Sequence, residues 1–412
     1  MSEDNKKRLD YWYYLGVIIL ALIVYLYFAL NISLLVIKPS KNNYYLSSST
    51  PKLNLNWPEF KEEAIGINNG VFQVNGVQTE LPTASLAKLI TALVVLNKYP
   101  LNMGQSGPNI TISSEDVNLL NYYEANQGSV LKVSLGETLS EYQMLEAMLL
   151  PSANNIADSL AIWAYGSLAN YAIEGNSFLA KEGLNNTHVG NDASGFDPST
   201  VSTASDLIKI GQMVENNALL SNIVSLRSAS GFPIVGTIKN VNFLLGQSGI
   251  MGIKTGNNNQ DPGAYLAVSK QKINNQEVNI YTAVMGAPNL WYALNGSLNL
   301  INSIWLSFNI PISLSKNNLD SNLASYKIPW DNQNISVYPA QNISFKILNS
   351  SKASFKVTLN PISFKTKKNQ TVGYLILKSD LLNQTQTIQL KLSNGIKKPP
   401  LWWLLLHPSY VL

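Results

Sequence analysis

The chain opens with a stretch that has no polar face. Residues 11–37 form 27 consecutive positions without a charge, and 11–30 carry no strongly polar side chain. About 20 apolar residues suffice to cross a bilayer as a helix, whereas a core helix keeps a polar stripe. A membrane anchor is therefore expected over 11–37, with 1–10 as a cytoplasmic tail. A signal sequence cleaved after Ala29 is the alternative. Flanking charges do not orient the segment, since Lys6, Lys7 and Arg8 precede it while Lys38, Lys41 and Lys52 follow. Residues 38–58, rich in Ser, Asn, Pro and Lys, read as a stalk.

From 59 to 309 the apolar period alternates between 2 and 3.6, which predicts an α/β or α+β domain. Residues 64–74 look like a hairpin with Asn69-Gly70 at its turn. Helical spacing runs from Ala84 to Leu96, then over 142–150 up to Pro151, and again from Asn155 to Tyr165. Residues 250–256 read as a strand entering a turn, and 263–269 with 277–285 as a strand pair. From 310 to 398 the texture becomes strictly alternating, as in 342–347, 354–359, 372–377 and 387–392. That is the pattern of a small antiparallel β domain. The last segment, 399–412, is too short to span a bilayer. Its Trp402-Trp403 pair suits either a membrane interface or a packed tail.

At 412 residues the chain can bury two cores. Its charged fraction is 13%, low against about 25% for soluble proteins, and the anchor explains part of the deficit. The net charge of +4 comes without any Lys/Arg cluster interleaved with aromatics, so nucleic-acid binding is not expected. There is no cysteine and there are only two histidines, His188 and His407. A thiol nucleophile is excluded, and no Asp/Glu/His grouping has metal spacing; no cofactor is expected.

With histidine so scarce, lysine becomes the natural proton acceptor. Ser-x-x-Lys occurs five times, starting at Ser49, Ser85, Ser129, Ser269 and Ser313. Only Ser85-Leu86-Ala87-Lys88 heads a long apolar-periodic helix, where residues three apart share a face. The helix N-terminus also favours an alkoxide developing on Ser85. Lys88 acts as a base only when neutral, so its pKa must fall from about 10.4. Burial would lower it, as would a second ammonium nearby, for which Lys254 is the candidate. Lys254-Thr255-Gly256 occurs once, and Gly256 would let a substrate backbone approach the strand edge. Ser152-Ala153-Asn154 follows Pro151 in a loop between two helices, where a hydroxyl and an amide can face a cleft.

These three motifs, in this order, resemble the D-alanyl-D-alanine carboxypeptidases, the low-molecular-mass penicillin-binding proteins of serine peptidase type. The similarity extends to residues 180–196, 202–207, 283–287 and 369–375, covering about 60–396. It implies a serine β-lactamase/transpeptidase-like catalytic domain followed by the small all-β domain. It also implies a single-pass membrane protein whose body faces away from the cytoplasm, since peptidoglycan stem peptides exist only there. β-Lactam antibiotics would be covalent inhibitors. By the same resemblance Ser85 is the nucleophile, Lys88 its base, and Ser152 a relay bridging Lys88 and Lys254. Asn154 would hold the substrate, Lys254 and Thr255 its terminal carboxylate, and the N–H groups of Ser85 and Asn257 the oxyanion.

Two departures stand out. Asn258 replaces a threonine that the family usually has two residues after Lys-Thr-Gly. The family arginine after the closing strand is absent, since 289–293 read Asn-Leu-Trp-Tyr-Ala and the only arginines are Arg8 and Arg227. Competing readings are a β-lactamase-like hydrolase, a DD-endopeptidase, and a non-catalytic membrane-tethered cell-wall binding module. For the lactamase, the nearest deacylation loop, Glu182-Gly-Leu-Asn185, is one residue short, and Ala153 replaces an Asp.

Overall fold

The computed structural model describes residues 3–30, 36–39, 53–257, 262–314 and 324–407. It divides into two units, 54–307 and a second formed by 1–53 with 308–412.

The first unit is built on a five-stranded antiparallel sheet. Its order is Gly70–Gly76, Glu62–Ile67, Gln276–Ala287, Gly263–Ile273 and Ile250–Gly256, which leaves the Lys-Thr-Gly strand at an edge. The central strands are apolar on both faces because both faces are covered. Leu266, Val268, Ala283 and Met285 join the large core with the helices, including Ala204–Asn216. Tyr265, Ala267 and Val284 point the other way, against helix Leu290–Leu306. The central hairpin turns on Asn274-Asn275, both at positive φ (51° and 66°), as a two-residue primed turn demands.

The first hairpin turns one residue earlier than its sequence suggests. Ile67 pairs with Gly70, so Asn68-Asn69 form the loop and Gly70 opens the next strand. Asn68 adopts φ 51° and exchanges hydrogen bonds with Asn279 across the sheet, at 2.8 and 3.1 Å. That long-range tie outweighs the local preference for Asn-Gly.

The predicted helices form as Ala87–Lys98, Glu141–Leu149 and Asn154–Tyr165. Every residue from 87 to 96 is buried, which accounts for a helix that is apolar nearly all round. Ser140 caps Glu141–Leu149 through a capping box with Gln143.

The second unit holds a five-stranded antiparallel sheet ordered Ser325–Lys327, Asn334–Pro339, Gln384–Leu392, Thr371–Ser379 and Ala353–Leu359. A separate pair joins Phe308–Leu314 to Ile343–Leu348. In Ala353–Leu359 the alternate residues Ala353, Phe355, Val357 and Leu359 are buried, matching the alternation in sequence. The N-terminal helix spans Glu3–Leu30, and its 7–27 segment is long and apolar enough to cross a membrane. Ile37, expected inside the apolar span, instead bridges Ile362 and is 2% exposed. Pro39 bridges Tyr326, so the chain enters the β unit before the expected stalk has ended. Residues 31–35 and 40–52, which carry the rest of that span and most of the stalk, lie outside the described residues. Near the C-terminus helix Leu401–Leu406 splits its tryptophans. Trp403 packs on Trp330, while Trp402 is exposed. The Tyr25 hydroxyl donates to the Leu405 carbonyl, joining the two ends of the chain.

Candidate active site

Ser85 sits in a 3-10 turn, Ala84–Leu86, that runs directly into helix Ala87–Lys98. The turn is gripped from two sides. Gly195, at φ 70°, comes so close that an added Cβ would stand 2.0 Å from the Ala84 carbonyl oxygen. Gly256 abuts the same turn, since its Cβ would meet the Thr83 carbonyl at 3.0 Å and Leu86 at 3.3 Å. Sequence suggested that Gly256 makes room for a substrate. In the fold it also lets the Lys254 strand pack against the Ser85 turn.

Lys88 is fully buried and its Nζ has three partners. They are Ser85 Oγ at 2.8 Å, Asn154 Oδ1 at 2.7 Å and the Ser194 carbonyl at 2.9 Å. Two of these oxygens can only accept, so each requires an N–H from Lys88. The serine hydroxyl alone can reverse its role. When the amine is neutral, its lone pair has one compatible partner, the Ser85 O–H. The contact set is thus suited to a base that takes its proton from Ser85.

Burial pulls Lys88 down to about 7, against the opposing attraction of Asp192 and Asp158. Lys254 is also buried and is held well below the usual lysine value, first by burial and then by Lys88. Burial is the first cause for both lysines, and the repulsion between the two like charges, which acts on the pair, comes second.

Ser152 does not bridge the two lysines among the described contacts. Its Oγ accepts from Lys254 at 2.9 Å, whereas the donors of Lys88 are taken up elsewhere. Ser152 adopts φ 67°, a left-handed conformation disfavoured for serine, and tight loops at functional sites hold such residues at a cost of about 1–3 kcal/mol. Asn154, 4% exposed, uses its side-chain oxygen on Lys88, which leaves the amide nitrogen for any substrate contact. Thr255 and Gly256 are buried beside Lys254, and Asn257 is exposed at the end of the strand. Asn258 lies outside the described residues.

Of the other Ser-x-x-Lys serines, the two that are described have no such surroundings. Ser129 is exposed, and Ser269 donates to the Ser248 carbonyl. Ser49 and the Ser313 side chain lie outside the described residues. His188 faces Glu80 and His407 stacks on Trp403, so neither is among the described contacts of Ser85 or the lysines. Arg227 donates to the Leu245 carbonyl at 2.6 Å, with no described bond to the cluster. At the position of the missing arginine, Asn289 caps helix Leu290–Leu306 and Trp291 is 69% exposed. Glu182, on which a lactamase-like deacylation would rest, is exposed at the C-cap of helix Leu168–Lys181.

Sequence reasoning placed Asp192 and Ser194 in the family-like stretch 180–196 without giving them a role, and passed over Tyr123 and Asp158. One signal was available, since Asp158 lies one turn from Asn154 on the same helix face.

The profile of the D-alanyl-D-alanine carboxypeptidase family matches residues 68–289, more than half of the chain. The chain belongs to this family. It is a serine peptidase with D-Ala-D-Ala carboxypeptidase activity. It is similar to the D-alanyl-D-alanine carboxypeptidase of Streptomyces sp. strain K15, at 29% identity over 209 residues, covering 46% of this chain and 69% of that one. The fold is shared with penicillin-binding protein 5 from Haemophilus influenzae, at a TM-score of 0.56 and 18% identity. That match covers 85% of this chain and all (100%) of the other. The Streptomyces K15 DD-transpeptidase gives a TM-score of 0.52 at 22% identity, over 62% of this chain and 98% of its own.

Because Lys88 must be neutral to accept a proton, acylation by penicillin should rise through a midpoint near the value of about 7 and level off above it. Lys88→Arg keeps the charge but cannot release a proton. Its acylation rate should fall by roughly 10²–10⁴-fold, the usual worth of a general base. Stopped-flow or gel-based labelling with fluorescent penicillin across the pH range measures both; a wild-type rate in the arginine variant would assign the base elsewhere.

Proposed function

We propose that the chain trims the D-Ala-D-Ala end of peptidoglycan stem peptides through an acyl-enzyme on Ser85. The observation that carries this reading is the contact set of Lys88, whose one reversible partner is the Ser85 hydroxyl at 2.8 Å. Ser85 Oγ attacks the penultimate D-alanine carbonyl while its proton passes to neutral Lys88. The N–H groups of Ser85 and Asn257 receive the oxyanion, in a kind of site where one donor is worth about 3–4 kcal/mol. Collapse of the tetrahedral intermediate breaks the peptide bond. Lys88 hands the proton it took to the Ser152 hydroxyl, held by Lys254, as that hydroxyl gives its own proton to the departing D-alanine nitrogen, so Lys88 is neutral again. Lys254 and Thr255 bind the terminal carboxylate, and Asn154 Nδ2 holds the acyl side. Water then attacks the ester, its proton going to Lys88, and Ser85 is regenerated. β-Lactams follow the first half of this path and stay attached.

The N-terminal helix serves as a retained single-pass anchor in this reading, with the catalytic body on the outer side of the cell membrane. Its apolar 7–27 segment and the absence of a polar face support that role. The domain organisation proposed is an anchor, a catalytic domain over about 59–309 and a β domain over about 310–398.

Penicillin should add its full mass to the wild-type protein and none to Ser85→Ala. Intact-protein mass spectrometry decides, and a label found on Ser129 or Ser49 would sink the assignment. The missing arginine gives a second expectation. Lysine is a point charge without the fork that grips a carboxylate bidentately. Carboxypeptidase activity should therefore be modest, with only a weak preference for a free pentapeptide over its C-terminal amide. A side-by-side rate comparison tests this, and a large preference for the acid would reveal a carboxylate clamp elsewhere in the cleft.

A further inference from the structure

Several buried polar side chains converge on one short segment, Ala193-Ser194, that the reaction itself does not require. Tyr123 and Asp158 are each 2% exposed. The Tyr123 hydroxyl donates to Asp158 Oδ2 at 2.5 Å, and the other oxygen of Asp158 receives the Ala193 N–H at 2.9 Å. On the far side of the same segment, Asp192 receives the N–H groups of Ser194 and Gly195 at 2.9 and 2.6 Å. Thr91 donates to the Ala193 carbonyl at 2.6 Å. The next carbonyl along, that of Ser194, is the one that takes an N–H from Lys88. A carboxylate taken out of water is costly unless it is well paired, and Asp158 is paired to this segment alone among its described hydrogen bonds, apart from the tyrosine.

We propose that Asp158, with Tyr123, is a positioning residue for acylation. It fixes the Ala193-Ser194 segment so that the Ser194 carbonyl holds one N–H of Lys88, which leaves the amine lone pair directed at Ser85. Two acceptors define where the lone pair points. Asn154 supplies the first, and Asp158, one helical turn further on, secures the second through the loop. One helix thus orients the base from two directions. The inference rests on the reading of Ser85 and Lys88 as nucleophile and base.

Asp158 also has an electrostatic reach. The groups that bear on Lys88 are the carboxylates Asp192 and Asp158, which favour its ammonium form, while Lys88 in turn depresses Lys254. Asp158 itself is pushed up to about 7 by burial and then by Asp192, with Tyr123, the Ala193 N–H and Lys88 acting in the opposite sense. Removing its charge should lower the pKa of Lys88, so the rise of acylation with pH should move to lower pH.

The test is the acylation rate of the full-length protein by fluorescent penicillin as a function of pH. Asp158→Ala removes both the charge and the clamp. Its plateau rate should fall by roughly 10²-fold, the scale on which small displacements of a reacting group cost rate. Asp158→Asn keeps an acceptor for Ala193 and a donor for the tyrosine oxygen. It should recover much of the lost rate and show the midpoint displaced to lower pH. A residue that merely stabilised the fold would lower the melting temperature and leave the profile of the folded protein unchanged, and that result overturns the proposal. Should Asp158→Ala fail to fold, Tyr123→Phe takes its place, because it deletes one hydroxyl; a wild-type profile there is equally fatal. Ser85→Ala run alongside separates the two levels. Label persisting in that variant defeats the nucleophile assignment, whereas label lost there together with unaltered Asp158 and Tyr123 variants defeats only the positioning role.

Discussion

Two lysines share a dry interior, and most of what is unusual in the catalytic unit follows from that constraint. An ammonium withdrawn from water is strongly disfavoured, and a second one nearby deepens the penalty. The fold meets this by giving Lys88 three oxygens and by placing Asp158 and Asp192 within electrostatic reach. The balance is not complete. Burial still wins on Lys88, and that surplus is what its proposed role as a base near neutrality requires. A more generous supply of carboxylates would keep the ammonium charged and the site silent.

Such a site also demands close packing, because water at the lysines would restore their ordinary basicity. Gly195 brings its segment against the Ser85 turn at a distance no side chain could tolerate, and Gly256 brings the Lys254 strand into tight contact with the same turn. The covered faces of the central sheet supply the rigidity behind them. The Lys-Thr-Gly strand remains an edge strand, with one side left unpaired within the sheet.

Most of this architecture was legible in the residues. Ser85 and Lys88 announced themselves by a three-residue spacing at the head of an apolar helix, and Pro151 marked the loop that carries Ser152. The β unit showed its alternation plainly in 353–359. What escaped was decided by contacts between distant parts of the chain. Asn69-Gly70 is the better local turn, yet Asn68 is held by Asn279, more than two hundred residues away in sequence (|i−j| 211). Asp158 carried no signal beyond its place one turn from Asn154, since its partners Tyr123 and Ala193 come from elsewhere (|i−j| 35 for each). The likeness to penicillin-binding enzymes suggested a serine shared by both lysines. The hydrogen bonds assign Ser152 to Lys254, because Asn154 and Ser194 already engage Lys88.

The bridge between Ile37 and Ile362 has a topological consequence. The β unit is assembled from the two ends of the chain, and the catalytic unit is spliced into it as an insert. During synthesis the insert is complete well before the strands that close the β unit have been made. The short 36–39 segment must then find those strands after the insert is finished, a long loop closure whose entropic cost grows only slowly with length. Maturation therefore has a natural order. The catalytic unit forms first, and the 36–39 segment is stitched into the β unit last.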